Sequence, residues 1–250
     1  MKILLPLTLL TVVMMMASCG SDDDEIKSLD MNFKLQYDGD PLVMFEDVTY
    51  PNDETMEVTR VSFYLSDIAL RTTEGETEIV SEAEYVDLTD SHIDAEKAVN
   101  GYMLNLDTDG GNYDQLSFNI GLTESQNASV PEDYTSDNAL SKSAEYWRSW
   151  NSYVFIKIEG YMDYNKNDVM DSGEAFGLHL GTDASMRSMT SGISDPGEVM
   201  DIVIDIKDVF ENENGIYDIA AGPRLHTLSD ATLANMAFLA DGFELATSVK

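Results

Sequence analysis

Apolar residues recur at every second position through most of this chain, and that period commits it to strands. Phe33, Leu35 and Tyr37 alternate with Lys34 and Gln36 and run into an Asp38-Gly39 turn. Val61, Phe63 and Leu65 share one face, whereas Ile68 and Leu70 have the opposite parity, so a bulge near Ser66-Asp67 is needed to return them to the core side. The same alternation marks Tyr102–Leu106, Leu116–Leu122 after an Asp-Gly-Gly-Asn turn at 109–112, Val154–Ile158, Phe176–Leu180 and Met200–Ile206. At least seven strands separated by turn-rich loops predict an all-β fold, an antiparallel β-sandwich. One or two short helices are added. Leu140, Ala144 and Trp147 share one helical face; Leu233, Met236, Ala237 and Ala240 share another, with Ser229 placed to cap and Gly242 to terminate. Residues 182–198 read as an exposed loop.

The ends and the charge bound the setting. Lys2, an apolar run from Ile3 to Met16 and Met-Ala-Ser-Cys at 16–19 have the form of a lipoprotein signal, with Cys19, the one cysteine, as the acylated residue. Residues 1–18 are therefore read as signal peptide, 19–29 as an acidic flexible tether and 30–250 as a single domain. The acidic residues after Cys19 resemble the signal that sends some Bacteroidetes-type lipoproteins to the outer face of the outer membrane. With 47 acidic against 14 basic residues the formal charge is −33, which excludes nucleic acid as a partner, since phosphate binding needs a basic face.

Two stretches point to metal. Asp163, Asn165, Asn167, Val169, Asp171 and Glu174 hold positions 1, 3, 5, 7, 9 and 12 of the EF-hand ligand spacing, which wraps oxygen donors around a calcium ion. Val169 would give its carbonyl and Glu174 both carboxylate oxygens; Asp168 stands where glycine is usual, and apolar Met170 is placed to pin the loop to the core. A strand precedes this loop, so it would brace a structure without the sensor helices. Trp147 and Trp150 lie just before it, and His179 just after, outward on its strand.

Six words in order carry a family resemblance: VTRVSFYLSDIAL at 58–70, YVDLTD at 85–90, LSFNIGL at 116–122, the Trp pair followed by YVFIKIEG at 153–160, FGLHLG at 176–181 and LANMAFLADGFEL at 233–245. Together they resemble the MbnP family of exported copper-binding proteins, often encoded beside a di-haem, MauG-like partner. The resemblance implies copper held by histidine and by a kynurenine that the haem partner makes from tryptophan. Indole ligates metal poorly, opened kynurenine has a free aromatic amine, and imidazole suits copper. It marks His179 as ligand and Trp147 or Trp150 as the modified residue. Where the family has tryptophans one residue apart and then a glycine, this chain has Trp-Arg-Ser-Trp and Ser152; where it often has a histidine, Asp87 stands. One ligand is then missing or replaced by a carboxylate, unless the fold brings His92 or His226 near to substitute.

No Gly-x-Ser-x-Gly elbow, His-Glu-x-x-His, phosphate loop or dinucleotide fingerprint occurs, so a binding protein is expected and not an enzyme. Met186 and Met189 are further soft donors or core filler. The alternative to copper acquisition or handling is a calcium-braced surface interaction module, or a carbohydrate-binding sandwich using Tyr146, Tyr161 and Tyr164 as exposed aromatics.

Overall fold

The structure, a computed structural model, describes residues 26–167, 169–193 and 199–250. The expected signal peptide, Cys19 and Asp168 lie outside the described residues. Strands β1 (Ile26–Tyr37), β2 (Asp40–Pro41), β3 (Asp47–Thr49), β4 (Thr55–Thr72) and β5 (Thr77–Asp87) come first. Helix α1 (Ala95–Asn100) precedes β6 (Tyr102–Gly111) and β7 (Tyr113–Ile120). The short α2 (Glu124–Asn127) opens a strap that ends in β8 (Tyr146–Trp147). Strands β9 (Ser152–Met162) and β10 (Ala175–Gly181) form a hairpin, followed by β11 (Arg187–Gly192) and β12 (Met200–Asp205). The chain closes with α3 (Ile206–Phe210), the pair β13 (Glu211–Asn212) and β14 (Gly215–Ile216), α4 (Asp230–Ala246) and β15 (Thr247–Val249).

These strands make a sandwich of two sheets. One holds β15, β12, β1, β6 and β2, and the other runs β10-β9-β4-β7-β11 with β3, β5 and β8 attached to β4 or β9. The β1–β12 pair is parallel; the other strand pairs are antiparallel. The 18-residue β4 is the spine of the larger sheet: β9 and then β7 follow one edge, and β3 and β5 the other. The bulge expected at Ser66-Asp67 is there, with Asp67 at φ 47° and a register shift between Ser66 and Ala69, so Ile68 and Leu70 return to the core. Asp38 and Gly39 both have positive φ and close the β1–β2 hairpin as the dipeptide predicts. Phe33, Phe63 and Phe243 meet edge-on at 5.7 and 5.4 Å, joining both sheets and α4; burying each such ring contributes about 1.5–3 kcal/mol.

Several local expectations fail for physical reasons. Strand β1 begins at Ile26 and pairs with β6, so the tether does not reach residue 29. Leu140–Trp147 is not a helix but 3₁₀ turns and β8, because Tyr64 and Tyr153 donate their hydroxyls to the carbonyls of Ala139 and Leu140 (3.3 and 2.7 Å). Those carbonyls would otherwise serve a helix. Ser229 caps α4 as expected, but the 17-residue helix runs through Gly242 to Ala246. A Cβ at 242 would stand 2.4 Å from the Val209 carbonyl, so this glycine serves the close approach of α3 to α4. Strand β12 stops at Asp205, whose carboxylate caps α3. Part of the expected 182–198 loop is β11, paired with β7. The 109–112 turn is instead a passage of the chain from one sheet to the other. No described helix is long and apolar enough to cross a membrane.

Candidate metal centre

On the larger sheet the residues opposite the core face form rows that cross the strands. Asp87 pairs with Ser62, Ser62 with Lys157, and Lys157 with His179, so these four side chains stand in line across β5, β4, β9 and β10. The neighbouring row holds Arg60, Glu159 and Gly177. Beyond β10, residues 223–225 add a short parallel edge: Gly177 N–H donates to the Pro223 carbonyl (2.8 Å) and Leu225 N–H to the Gly177 carbonyl (3.1 Å), with Gly177 opposite Arg224. That register carries His226 to the side of His179. Their rings stack with centroids 4.7 Å apart at 21°.

The strap supplies the third member. Trp150 N–H bonds the Trp147 carbonyl (2.9 Å) and Asn151 takes φ 50°, a turn that brings the two indoles to 4.4 Å. Trp147, half-buried, packs edge-on to His179 (5.0 Å, 87°) and against His226 (4.9 Å, 74°). Trp150 is buried and belongs to the hydrophobic core. Two residues before Trp147, buried Glu145 pairs with Lys157 (2.5 Å) and Arg60 (3.2 Å), which fixes the strap to the sheet. Ser152 Oγ lies 3.0 Å from Asn127 Oδ1 and accepts the Thr182 N–H at 3.0 Å. A hydroxyl at 152 thus binds strap, β9 and β10 together, which a glycine there would not do.

His179 is 7% exposed, and its Nε2 lies 2.7 Å from Glu159 Oε1. Its Nδ1 is buried with no hydrogen-bond partner among the described residues. The bond from His179 holds the Glu159 carboxyl below its ordinary range, against the opposing effect of burial. His226 sits exposed at the rim; desolvation, then His179 and Arg224, push its imidazole below its usual range, which keeps a lone pair free at neutral pH. A Cβ at Gly177 would stand 3.3 Å from His226 Nε2 and 3.7 Å from His179 Nε2. The missing side chain leaves an open cleft of about 310 Å³ that includes Glu159, Tyr161, Arg224 and both histidines. Two adjacent imidazoles suit a transition metal, and copper ahead of most. Among the described residues no three His, Cys, Asp or Glu side chains converge on one metal position.

The other sequence candidates go to different places. His92 is fully buried, with Nε2 accepting from Leu35 N–H (2.9 Å) and Nδ1 3.0 Å from the Leu88 carbonyl, so both nitrogens are occupied by the scaffold. Asp87 pairs with Arg60 (3.4 Å) and stands three strand spacings from His179 in the row, about 14 Å. Met186 and Met189 pack against the core. Tyr146 is buried, and Tyr161 and Tyr164 half-buried, so the aromatic platform for sugar does not exist as expected. Residues 163–174 are the β9–β10 connection. Asp163 and Glu174 are buried at its two ends, Asn165, Asn167, Val169 and Asp171 are exposed, and Met170 does not join the core cluster. Glu174 accepts from Asn165 and Asp171, and Asp163 from Asn167 N–H (3.1 Å). Left-handed backbone occurs at Lys166 (φ 58°).

Glu159, Lys157, Glu145 and Gly177 are not legible as site residues in the sequence, although Glu159 and His179 do share outward parity on strands flanking one loop. A family model described as MbnP matches residues 26–226, which include the Trp pair and both histidines. The solved structure of MbnP from Methylosinus trichosporium is similar at a TM-score of 0.56 and 13% identity, covering 89% of this chain and 98% of that one; this likeness is one of fold. No curated protein matches.

Proposed function

The chain belongs to the MbnP family, and from that premise we propose that it is an exported copper-binding protein that holds the ion with His179, His226 and a kynurenine formed from Trp147. The observation that carries this reading is the contact of one indole, Trp147, with both imidazoles. It favours Trp147 over Trp150 as the modified residue. The donor set fits copper: two imidazoles, one with a buried nitrogen lacking a partner among the described residues, and a room that a Cβ at 177 would narrow. Bound copper would supply a redox-active, soft Lewis acid, and the chain's own work is to hold two nitrogens side by side and shield one of them. The protein acts in copper acquisition or handling, as substrate of a di-haem MauG-like oxidase and not as an enzyme itself. Cys19 anchors it as a lipoprotein to the outer membrane, facing outward; protease shaving of intact cells tests that, and protection would count against it.

Copper titration followed by spectroscopy on His179→Ala and His226→Ala tests the ligands, and peptide mass of protein from its native host tests Trp147. Unchanged binding in either variant removes that histidine. An unmodified Trp147, with the haem partner present and active, removes the kynurenine. The 163–174 loop takes calcium in the same reading, supported by the ligand spacing and by the two buried carboxylates that close the β9–β10 hairpin. Calorimetry on chelator-stripped protein decides it, and an absence of heat at millimolar calcium overturns it.

A further inference from the structure

The hydrogen bond between Glu159 and His179 has a consequence for which atom of His179 meets the metal. A carboxylate oxygen only accepts, so Nε2 of His179, 2.7 Å from Glu159 Oε1, is the nitrogen that carries the proton whenever the ring has only one. Its lone pair is then on Nδ1. That atom is buried and has no hydrogen-bond partner among the described residues, an arrangement that costs stability unless something binds there. Glu159 is free to do this because its cross-strand neighbour Arg60 is committed to Glu145, Asp87 and Tyr85. It reaches His179 on the diagonal of the hairpin, opposite Gly177 and two residues away in register.

Resting on the copper reading above, we propose that Glu159 is a positioning residue that holds Nε2–H of His179 and so assigns Nδ1, not Nε2, as the copper donor. Outer carboxylates commonly fix the tautomer and raise the basicity of a ligating histidine. Here the effect is directional as well: it turns the ligand atom away from the solvent-facing carboxylate and into the buried side of the site. Nothing in the sequence distinguishes the two nitrogens, whereas the partner of each one in the fold does.

Long-range proton–nitrogen NMR on protein labelled with ¹⁵N-histidine reads the tautomer directly, in the metal-free protein and after loading with diamagnetic Cu(I). The metal-free protein at neutral pH should show His179 protonated at Nε2, and Cu(I) should shift Nδ1 while the Nε2 proton stays. Glu159→Gln keeps the shape of the side chain, so a merely structural role would leave the tautomer alone. The proposal expects a mixed tautomer and Cu(I) affinity weakened about 10- to 100-fold, with the unfolding temperature little changed. Cu(I) on Nε2 of His179 in the unsubstituted protein would overturn the assignment and leave the copper reading intact. A protein that takes up no Cu(I) would overturn both.

Discussion

The two faces of the larger sheet are made by the same strands on different terms. On the inner face Val61, Phe63, Leu65, Ile156, Ile158 and Leu178 are sealed against the second sheet and α4, and any set of apolar groups of the right volume would serve. On the opposite face the intervening residues are Arg60, Ser62, Lys157, Glu159 and His179, and a strap of irregular chain covers them. Apolar residues tolerate exchange because burial is non-directional. The polar ones must be matched atom by atom, which Lys157 finds in Glu145, Arg60 in Glu145 and Asp87, and His179 in Glu159 on one nitrogen only. Stability and specificity have been divided between the two sides of one layer.

Substitutions can test that division. Phe63→Ala, at the meeting of both sheets and α4, should cost about 3–5 kcal/mol in chemical denaturation and abolish the metal site along with the fold. Lys157→Met leaves Glu145 buried with Arg60 alone and should cost about 3 kcal/mol, while the double variant with Glu145→Leu should regain most of it. A single-variant cost close to zero would mean that the strap is held by its aromatic contacts. Gly177→Ala should weaken copper binding about tenfold in a competition titration by crowding His226, with stability changed by less than about 1 kcal/mol. If copper and stability fell together, the cleft would be part of the scaffold.

The smallest effect concerns His92. Burial pushes its imidazole below the ordinary value of 6.5, so the unfolded chain takes up the proton first as pH falls. Its contribution to stability is complete above that pH and is lost as the solution is acidified below it. In NMR titration the His92 ring should charge at lower pH in the folded protein than in the unfolded chain, and an equal or higher midpoint would mean the pocket is wetter than the bonds from Leu35 and to Leu88 imply.

The inner face is legible in the amino-acid sequence, because period-two alternation reports which side chains leave water together, and the parity of Ile68 and Leu70 even marks their bulge. The outer face is legible only in parity. Alternation places His179 outward, but its burial depends on the strap, and Leu140, Ala144 and Trp147 give a helical pattern that hydroxyls from Tyr64 and Tyr153 override. Nor does spacing choose among His92, Asp87 and His226. What brings His226 beside His179 is a parallel bridge at Gly177, between residues 47 positions apart, which no local pattern encodes.

That bridge also sets the order in which the imidazole pair can form. The second imidazole arrives on a segment near the end of the chain and is held to β10 by two backbone hydrogen bonds at Gly177. A chain cut before Pro223 has His179 and Trp147 but half of the imidazole pair. On the proposed copper reading, the site is therefore complete only once residues 223–226 have docked along β10.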